Sequence, residues 1–371
     1  MKFTVERDAA LRALTLATRI TEKRNTIPML GHAAITAGKS RVTLAVTNMD
    51  QHMVVEMATA NTSKTGQTTA NAGRMLAFVR ATAPGSQIEA ELKDEKLILR
   101  AGRARATLPT LPIGEFPVIP SQDAGAEIEV AGDALAHAIG QVSHAQSDEE
   151  TRYYLNGVYF HERAGKLRLV ATDGHRLGLA EVTPEKKLPE TMPGIILPRG
   201  AVPELVRIAS DAKQSPITLE ISEHRLRVAH GDVEFSTKLV DGVFPDYDRV
   251  IPKQNDCRFS VGRVALEGAI ARCAALGSDG SNAVKIEVIK GAALLSRHTP
   301  DAGEVSDEVD VQAKGEPSTT GFNSAYMTSA LAALACPDID VEFTPGGPLV
   351  LRRSTDDRDG EMQLVMAMRV I

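Results

Sequence analysis

Short alternations of apolar and polar residues pass three times into stretches whose apolar residues recur every three or four positions. Phe3-x-Val5 is followed by Leu11, Leu14 and Thr18; Ile128-x-Val130 by Leu135, Ile139 and Val142; Phe259-x-Val261 by Leu266, Ile270 and Cys273. A switch of period from two to about 3.6 predicts a strand running into an amphipathic helix. The three valines lie 125 and 131 residues apart. Self-similarity at a fixed spacing predicts repeated domains within one chain.

A second helix-then-strand pattern follows each of these. It spans Asn71 to Leu92 with Leu76, Val79 and Ile88, Pro198 to Ile221 with Leu205, Ile208 and Ile217, and Asn323 to Phe343 with Leu331, Leu334 and Ile339. V-T-L-A-V-T-N-M-D at 42–50 parallels L-R-L-V-A-T-D-G-H at 167–175. The first two copies close on Phe116-Pro117 to Ile119-Pro120 and Phe244-Pro245 to Ile251-Pro252, and the third in Leu364 to Val370. Runs such as K-L-I-L-R (96–100), I-T-L-E-I (217–221) and R-L-R-V (225–228) read as strands. Short polar or glycine turns such as Ala164-Gly165-Lys166 and His230-Gly231-Asp232 join them. The expectation is an α+β fold of three repeated domains, 1–121, 127–252 and 256–371, each with antiparallel sheets and two helices. The linkers fall in the proline-containing stretches 117–127 and 245–256.

A length of 371 residues fits three domains, each large enough for its own core. No apolar run approaches the ~18 residues of a membrane span, and the charged opening M-K-F-T-V-E-R-D does not read as a secretory signal. Cys257, Cys273 and Cys336 are isolated, with no CxxC spacing. That pattern points to a reducing, cytoplasmic setting and away from a zinc site or a disulfide framework.

Charge changes the picture. The net charge is −6, yet the six helical segments together carry +4 and the rest of the chain −10. Helices more basic than their surroundings suit one shared face that meets a polyanion. Tryptophan is absent and aromatics are 4%, which disfavours stacking on bases as the binding mode.

Catalytic and metal signals are thin. Asp173 and His175 would share one face of a strand, an acid–base arrangement without a nearby nucleophile. Gly38-Lys39-Ser40 resembles the end of a phosphate-binding loop, but Ala33 stands where that motif needs glycine. His52, His137, His144, His161 and His230 are scattered. No metal or cofactor is expected.

The most specific signals are whole segments: R-N-T-I-P-M-L-G at 24–31, T-R-Y-Y-L-N-G-V-Y-F at 151–160, V-A-T-D-G-H-R-L at 170–177, F-P-D-Y-D-R-V-I-P at 244–252 and the closing V-M-A-M-R-V-I. Together they resemble the bacterial DNA polymerase III β subunit, the replication sliding clamp, from end to end. The resemblance implies a head-to-tail homodimer forming a six-domain ring, with helices lining the hole and sheets on the rim. Such a ring encircles duplex DNA regardless of sequence and tethers the replicative polymerase α subunit, the clamp loader, other polymerases and repair factors through short peptides. It is not an enzyme. A second-copy clamp with altered partner choice is one alternative, suggested by Ala367 and Asn282, which depart from the family pattern, and an enzyme using Asp173 and His175 is the other; Ile371 adds one residue to the usual end.

The same resemblance assigns residues. The partner-peptide pocket comprises Leu155, Thr172, Gly174, His175, Arg176, Leu177, Pro245, Arg249, Val250, Val365, Met366, Met368 and Arg369. An apolar, methionine-containing groove accommodates varied peptides because methionine repacks readily. DNA contacts are Arg24, Arg152, Tyr153 and Tyr154, with Arg7, Arg12, Arg19, Arg80 and Arg199 adding to the field. The dimer interface sets basic Arg74, Lys96, Arg103 and Arg105 with Leu108 against Ala275, Leu276, Asp301, Glu304, Asp307 and Glu308. Opposite charges on two ends of one chain suit a heterologous contact. The apolar share of this interface is small, which predicts a weak dimer.

Overall fold

The computed structural model describes residues 1–21, 26–118, 125–189, 192–275, 282–299, 303–354 and 360–370. Six α-helices appear among them: α1 (Arg7–Ile20), α2 (Ala72–Ala81), α3 (Gly132–Val142), α4 (Val202–Ala212), α5 (Arg263–Ala274) and α6 (Ser324–Leu334). They fall where the periodicity places them. The strands Lys2–Glu6, Ala126–Ala131 and Cys257–Gly262 run directly into α1, α3 and α5. Asn71 and Asn323 cap α2 and α6, their side chains accepting the Arg74 N–H and the Ala325 and Tyr326 N–H groups. Those caps satisfy donors that a helix start leaves unpaired.

The helices bury the predicted stripes in α3 and α5, where Leu135, Ile139, Val142, Leu266, Ile270 and Cys273 are almost wholly enclosed. Each large side chain so buried contributes about 1.5–3 kcal/mol. In α1 the buried stripe is Ala10, Ala13, Leu14, Leu16, Ala17 and Ile20, while Leu11 and Thr18 sit at its margin. Alanines here let the helix lie close to its sheet, and a stripe of alanines is nearly silent in a hydrophobicity pattern.

The chain packs as two compact bodies, Met1–Glu129 with Pro216–Leu239, and Val130–Ser215 with Val240–Ile371. Their composition follows from strand pairing across repeats. In the first body, Gln51–Ala58 of the first repeat pairs antiparallel with Val233–Lys238 of the second, Met53 opposite Phe235. In the second body, Arg176–Val182 of the second repeat pairs antiparallel with Glu361–Val365 of the third, Leu179 opposite Met362. Each seam joins the third strand after a repeat's first helix to the last strand of the next repeat.

That rule leaves two edges. Ala104–Pro109, the last strand of the first repeat, ends the five-stranded sheet of the first body, with Lys96–Ala101 on its one paired side. Gly303–Asp310, the third strand after α5, ends the four-stranded sheet of the second body, with Ala292–Thr299 on its one paired side. No helix among the described residues is long and apolar enough to cross a membrane.

Candidate docking groove, basic helices and open strand edges

The segment Thr172–Leu177 turns between two strands of the second body, and its own side chains hold it. The Thr172 hydroxyl donates to the Arg176 carbonyl (2.7 Å) and accepts from the Gly174 N–H (3.1 Å). Asp173 Oδ1 accepts from the N–H groups of His175 (2.8 Å) and Arg176 (2.9 Å), and Asp173 Oδ2 accepts from Arg176 Nε (2.9 Å). Gly174 has φ +88°, the left-handed region that favours glycine. Every Asp173 bond serves the turn, so the paired Asp173 and His175 of the sequence are structural partners of a backbone rather than an acid and a base.

The first repeat builds the same turn. The Thr47 hydroxyl donates to the Gln51 carbonyl (3.0 Å) and accepts from the Met49 N–H (2.9 Å), and Asn48 Oδ1 accepts from Asp50 and Gln51 N–H. Met49 takes φ +79° in the place of Gly174. The seams match too: Lys238 N–H donates to the Asp50 carbonyl, as Met366 N–H donates to His175. Buried His52 occupies the position of Leu177, and Lys238 that of Met366. A common scaffold thus carries an apolar lining only in the second body. The Gly38-Lys39-Ser40 segment is a hairpin turn between His32–Ala37 and Arg41–Thr47.

Around the Thr172–Leu177 turn, Leu155 and Leu177 are buried with Phe244, Tyr247, Met362 and Leu364, and Val365 is fully buried in the adjoining core. Expected as lining, these three are instead a floor. Above it, Met366 is 38% and Val250 47% exposed, and Gly174, His175, Pro245, Arg249 and Arg369 are exposed. Thr172, Arg176 and Met368 are half-buried. Arg249 is paired with Asp246 at 2.8 Å. The strand Glu361–Val365 ends before Met366. Beyond it, Ala367 bridges Phe322 and Met368 N–H donates to the Gly321 carbonyl at 2.8 Å. Exposed Asn282 lends its carbonyl to the Ser324 N–H.

Tyr326 was not signalled by the sequence pattern. Capping by Asn323 sets it in the first turn of α6, where its ring receives the Arg176 guanidinium 4.6 Å from the centroid and lies stacked on His175 at 6.0 Å.

The candidate DNA contacts divide. Arg19 and Arg80 are exposed on α1 and α2. Arg7 departs from expectation: its side chain is only 13% exposed, paired with Asp8 and bonded to the Arg80 carbonyl, so helix packing uses it. Arg12 is bound to Asp232. Arg199 lies 3.6 Å from Asp148. Arg152 pairs with Glu149 at 3.2 Å and lies against the open side of Gly174, so its side chain touches the Thr172–Leu177 turn. Tyr153 is 53% exposed, whereas Tyr154 packs against the floor. Arg24 lies outside the described residues.

Arg105 on the first open edge, Arg103 in the turn before it and Lys96 on the neighbouring strand are exposed, as is Arg74 on α2. Leu108, expected as exposed interface, is 8% exposed and packs into its own domain. On the second, Glu304 and Glu308 are exposed and Asp307 is already paired with Arg272. Ala275 is exposed; Leu276 and Asp301 lie outside the described residues. Among the described residues no group of three or more His, Cys, Asp or Glu side chains is placed to hold a metal.

Three family models match the chain in order: the DNA polymerase III beta subunit N-terminal domain over residues 1–120, its central domain over 129–246 and its C-terminal domain over 248–369. The chain belongs to the DNA polymerase III beta subunit family. It is 35% identical over 377 residues to the beta sliding clamp of Caulobacter vibrioides, covering 100% of both chains. It is 32% identical over 344 residues to that of Escherichia coli K12, covering 93% of each. Among solved structures, it is similar to the Pseudomonas aeruginosa DNA polymerase III subunit beta bound to griselimycin, with TM-score 0.95, 27% identity and full coverage of both chains. A Caulobacter crescentus pol III beta gives TM-score 0.92 at 35% identity, again with full coverage. Membership of this clamp family makes the chain a non-catalytic replication subunit.

Proposed function

We propose that two copies of this chain close head to tail into a six-domain ring around duplex DNA, and that the groove at the second repeat seam tethers polymerases and other DNA-processing proteins. The observation that carries this reading is the strand rule. Third strands pair with last strands at both internal seams, and the two strands left over, Gly303–Asp310 and Ala104–Pro109, present edges of opposite charge. A contact between different surfaces that closes on itself yields a ring, and closure removes sheet edges that would otherwise template aggregation.

Arg19 and Arg80 then add to a basic lining, with Arg12, Arg199, Arg152 and Tyr153 at its margins. Phosphate contacts of this kind carry no base information and are solvated enough to slide. Met366, Met368, Val250, Pro245, His175 and Arg176 form the groove over its Leu155, Leu177 and Val365 floor, with Arg249 and Arg369 at the rim. The groove takes short extended peptides of loaders, polymerases and repair factors. Three buried free thiols suit work in a reducing cytoplasm.

Sedimentation of the purified chain tests closure: a species of twice the chain mass is expected, and a monomer at micromolar concentration contradicts it. Binding of a Gln-Leu-x-Leu-Phe peptide, lost on removal of residues 366–371, tests the groove. Full affinity in the truncated chain contradicts the assignment.

A further inference from the structure

Beneath the groove lies a polar side chain that neither sequence nor family membership explains. Gln363 is 0% exposed in the middle of Glu361–Val365. Its Nε2 donates to the Gln141 carbonyl in α3 at 3.0 Å. Its Oε1 accepts from His144 Nε2 at 2.8 Å. Gln141 in turn donates through Nε2 to the Ala333 carbonyl of α6. A buried amide normally costs stability unless it is satisfied, and here both ends are used, across three elements.

The surroundings are shaped to allow it. Gly178 lies opposite Gln363 in the neighbouring strand. A Cβ at position 178 would come within 2.9 Å of Val142 Cα, 3.0 Å of the Gln141 carbonyl and 3.2 Å of Gln363 Oε1. Glycine therefore lets the end of α3 descend onto the strand, where its carbonyl reaches Gln363. Burial is the main effect on His144 and lowers its pKa, so the ring is neutral near pH 7, with Nε2 carrying the proton toward Gln363. Strand register matters at this place because a one-residue slip exchanges the two faces.

We propose that Gln363, held by His144 and Gln141, is the positioning residue that fixes the strand Glu361–Val365 against α3 and so sets the height and register of Met366 and Met368 in the groove. The consequence for peptide binding rests on the docking reading above. The geometric consequence does not: Met366 N–H is held to the His175 carbonyl at 2.8 Å only while the strand keeps its place. Leucine in place of Gln363 leaves the His144 N–H and the Gln141 carbonyl buried without partners. Leucine at both 363 and 144 removes the stranded donor and leaves the Gln141 carbonyl as the one group of the network that has lost its partner, which is less harmful than stranding both.

Dimeric full-length protein carrying Gln363→Leu, His144→Leu, both changes, or the shape-preserving Gln363→Glu is compared with the parent in two measurements. The first is affinity for the Gln-Leu-x-Leu-Phe peptide. The second is hydrogen exchange at the Met366 amide. Gln363→Leu is expected to weaken the peptide about tenfold and to speed Met366 exchange by a similar factor, with the double variant no worse than Gln363→Leu alone. Val228→Ala, a core change in the first body, is expected to leave both readouts unmoved. Additive losses in the double variant, or parental exchange at Met366 in Gln363→Leu, would overturn the proposal. Should Gln363→Leu not fold, Gln363→Glu decides by the same readouts. A parent protein that ignores the peptide would count against the docking reading, and Met366 exchange would still decide the latch.

Discussion

Arg176 and Tyr326 join the second and third repeats at the groove: the guanidinium carbon lies 4.6 Å above the ring centroid, while Asp173 holds the same arginine at 2.9 Å. A cation fixed between a carboxylate and an aromatic face is a rigid wall rather than a solvated charge. Such a contact is worth about 0.5–2 kcal/mol. Tyr326→Ala is expected to weaken peptide binding by about five- to tenfold, and Tyr326→Phe by less than twofold, because the face survives. Calorimetric titration of both variants checks this. Equal losses would place the hydroxyl, not the face, in the binding role.

The open edges make a charge-reversal test possible. Exposed charge pairs contribute up to about 1 kcal/mol each and chiefly set steering and register. Arg105→Glu is expected to raise the dimer dissociation constant several-fold, and adding Glu308→Arg to recover part of it. With Leu108 already buried in its own domain, little apolar surface remains to the contact. The parent dimer is therefore expected to dissociate in the nanomolar range, below the micromolar concentrations at which it stays paired, measurable by sedimentation equilibrium. A subnanomolar constant contradicts this account of the interface.

The basic helices predict a graded effect on DNA. Arg19→Ala and Arg80→Ala are each expected to lower the salt slope of equilibrium DNA binding by about 1, evenly across sequences. Titrations from low to moderate salt measure it. An unchanged slope removes that residue from the lining, and a sequence-dependent change argues for base contact.

His52 predicts a pH dependence. Its ring is 4% exposed, neither nitrogen has a hydrogen-bond partner among the described residues, and burial, followed by Arg225 and Lys238, holds its pKa down to about 4. The unfolded chain takes up a proton near pH 6.5 that the folded chain refuses, so stability is complete above that pH and falls as pH drops toward 4. The loss amounts to about 3 kcal/mol across the window. His52→Leu, which copies Leu177, is expected to flatten the fall in denaturation midpoint between pH 6.5 and 4. A slope equal to the parent's would assign the acid sensitivity elsewhere.

Helix positions were legible in the sequence because α3 and α5 bury Leu, Ile, Val and Cys at helical spacing, a signal that survives any context. The buried face of α1 was only partly legible, since Ala10, Ala13 and Ala17 carry little hydrophobic contrast. The Thr172–Leu177 turn was readable from V-A-T-D-G-H-R-L, but what lies under it was not. Tyr326 and Gln363 are far from that turn in sequence, and only the pairing of Arg176–Val182 with Glu361–Val365 brings them near. Pairing between repeats also hid the two open edges, which no local pattern distinguishes from any other strand. Arg7 shows the opposite error: a cation on a helix reads as surface until its carbonyl partner is seen.

The most direct test of the account is topological. The protein, loaded on nicked circular DNA by a clamp loader with ATP, is gel-filtered at about 0.2 M salt, enough to remove most binders held by phosphate contacts alone. The circle is then cut once. A closed sliding ring stays on the circle and leaves the linear product by its ends. Retention on both forms would contradict encirclement and make this an ordinary DNA-binding protein.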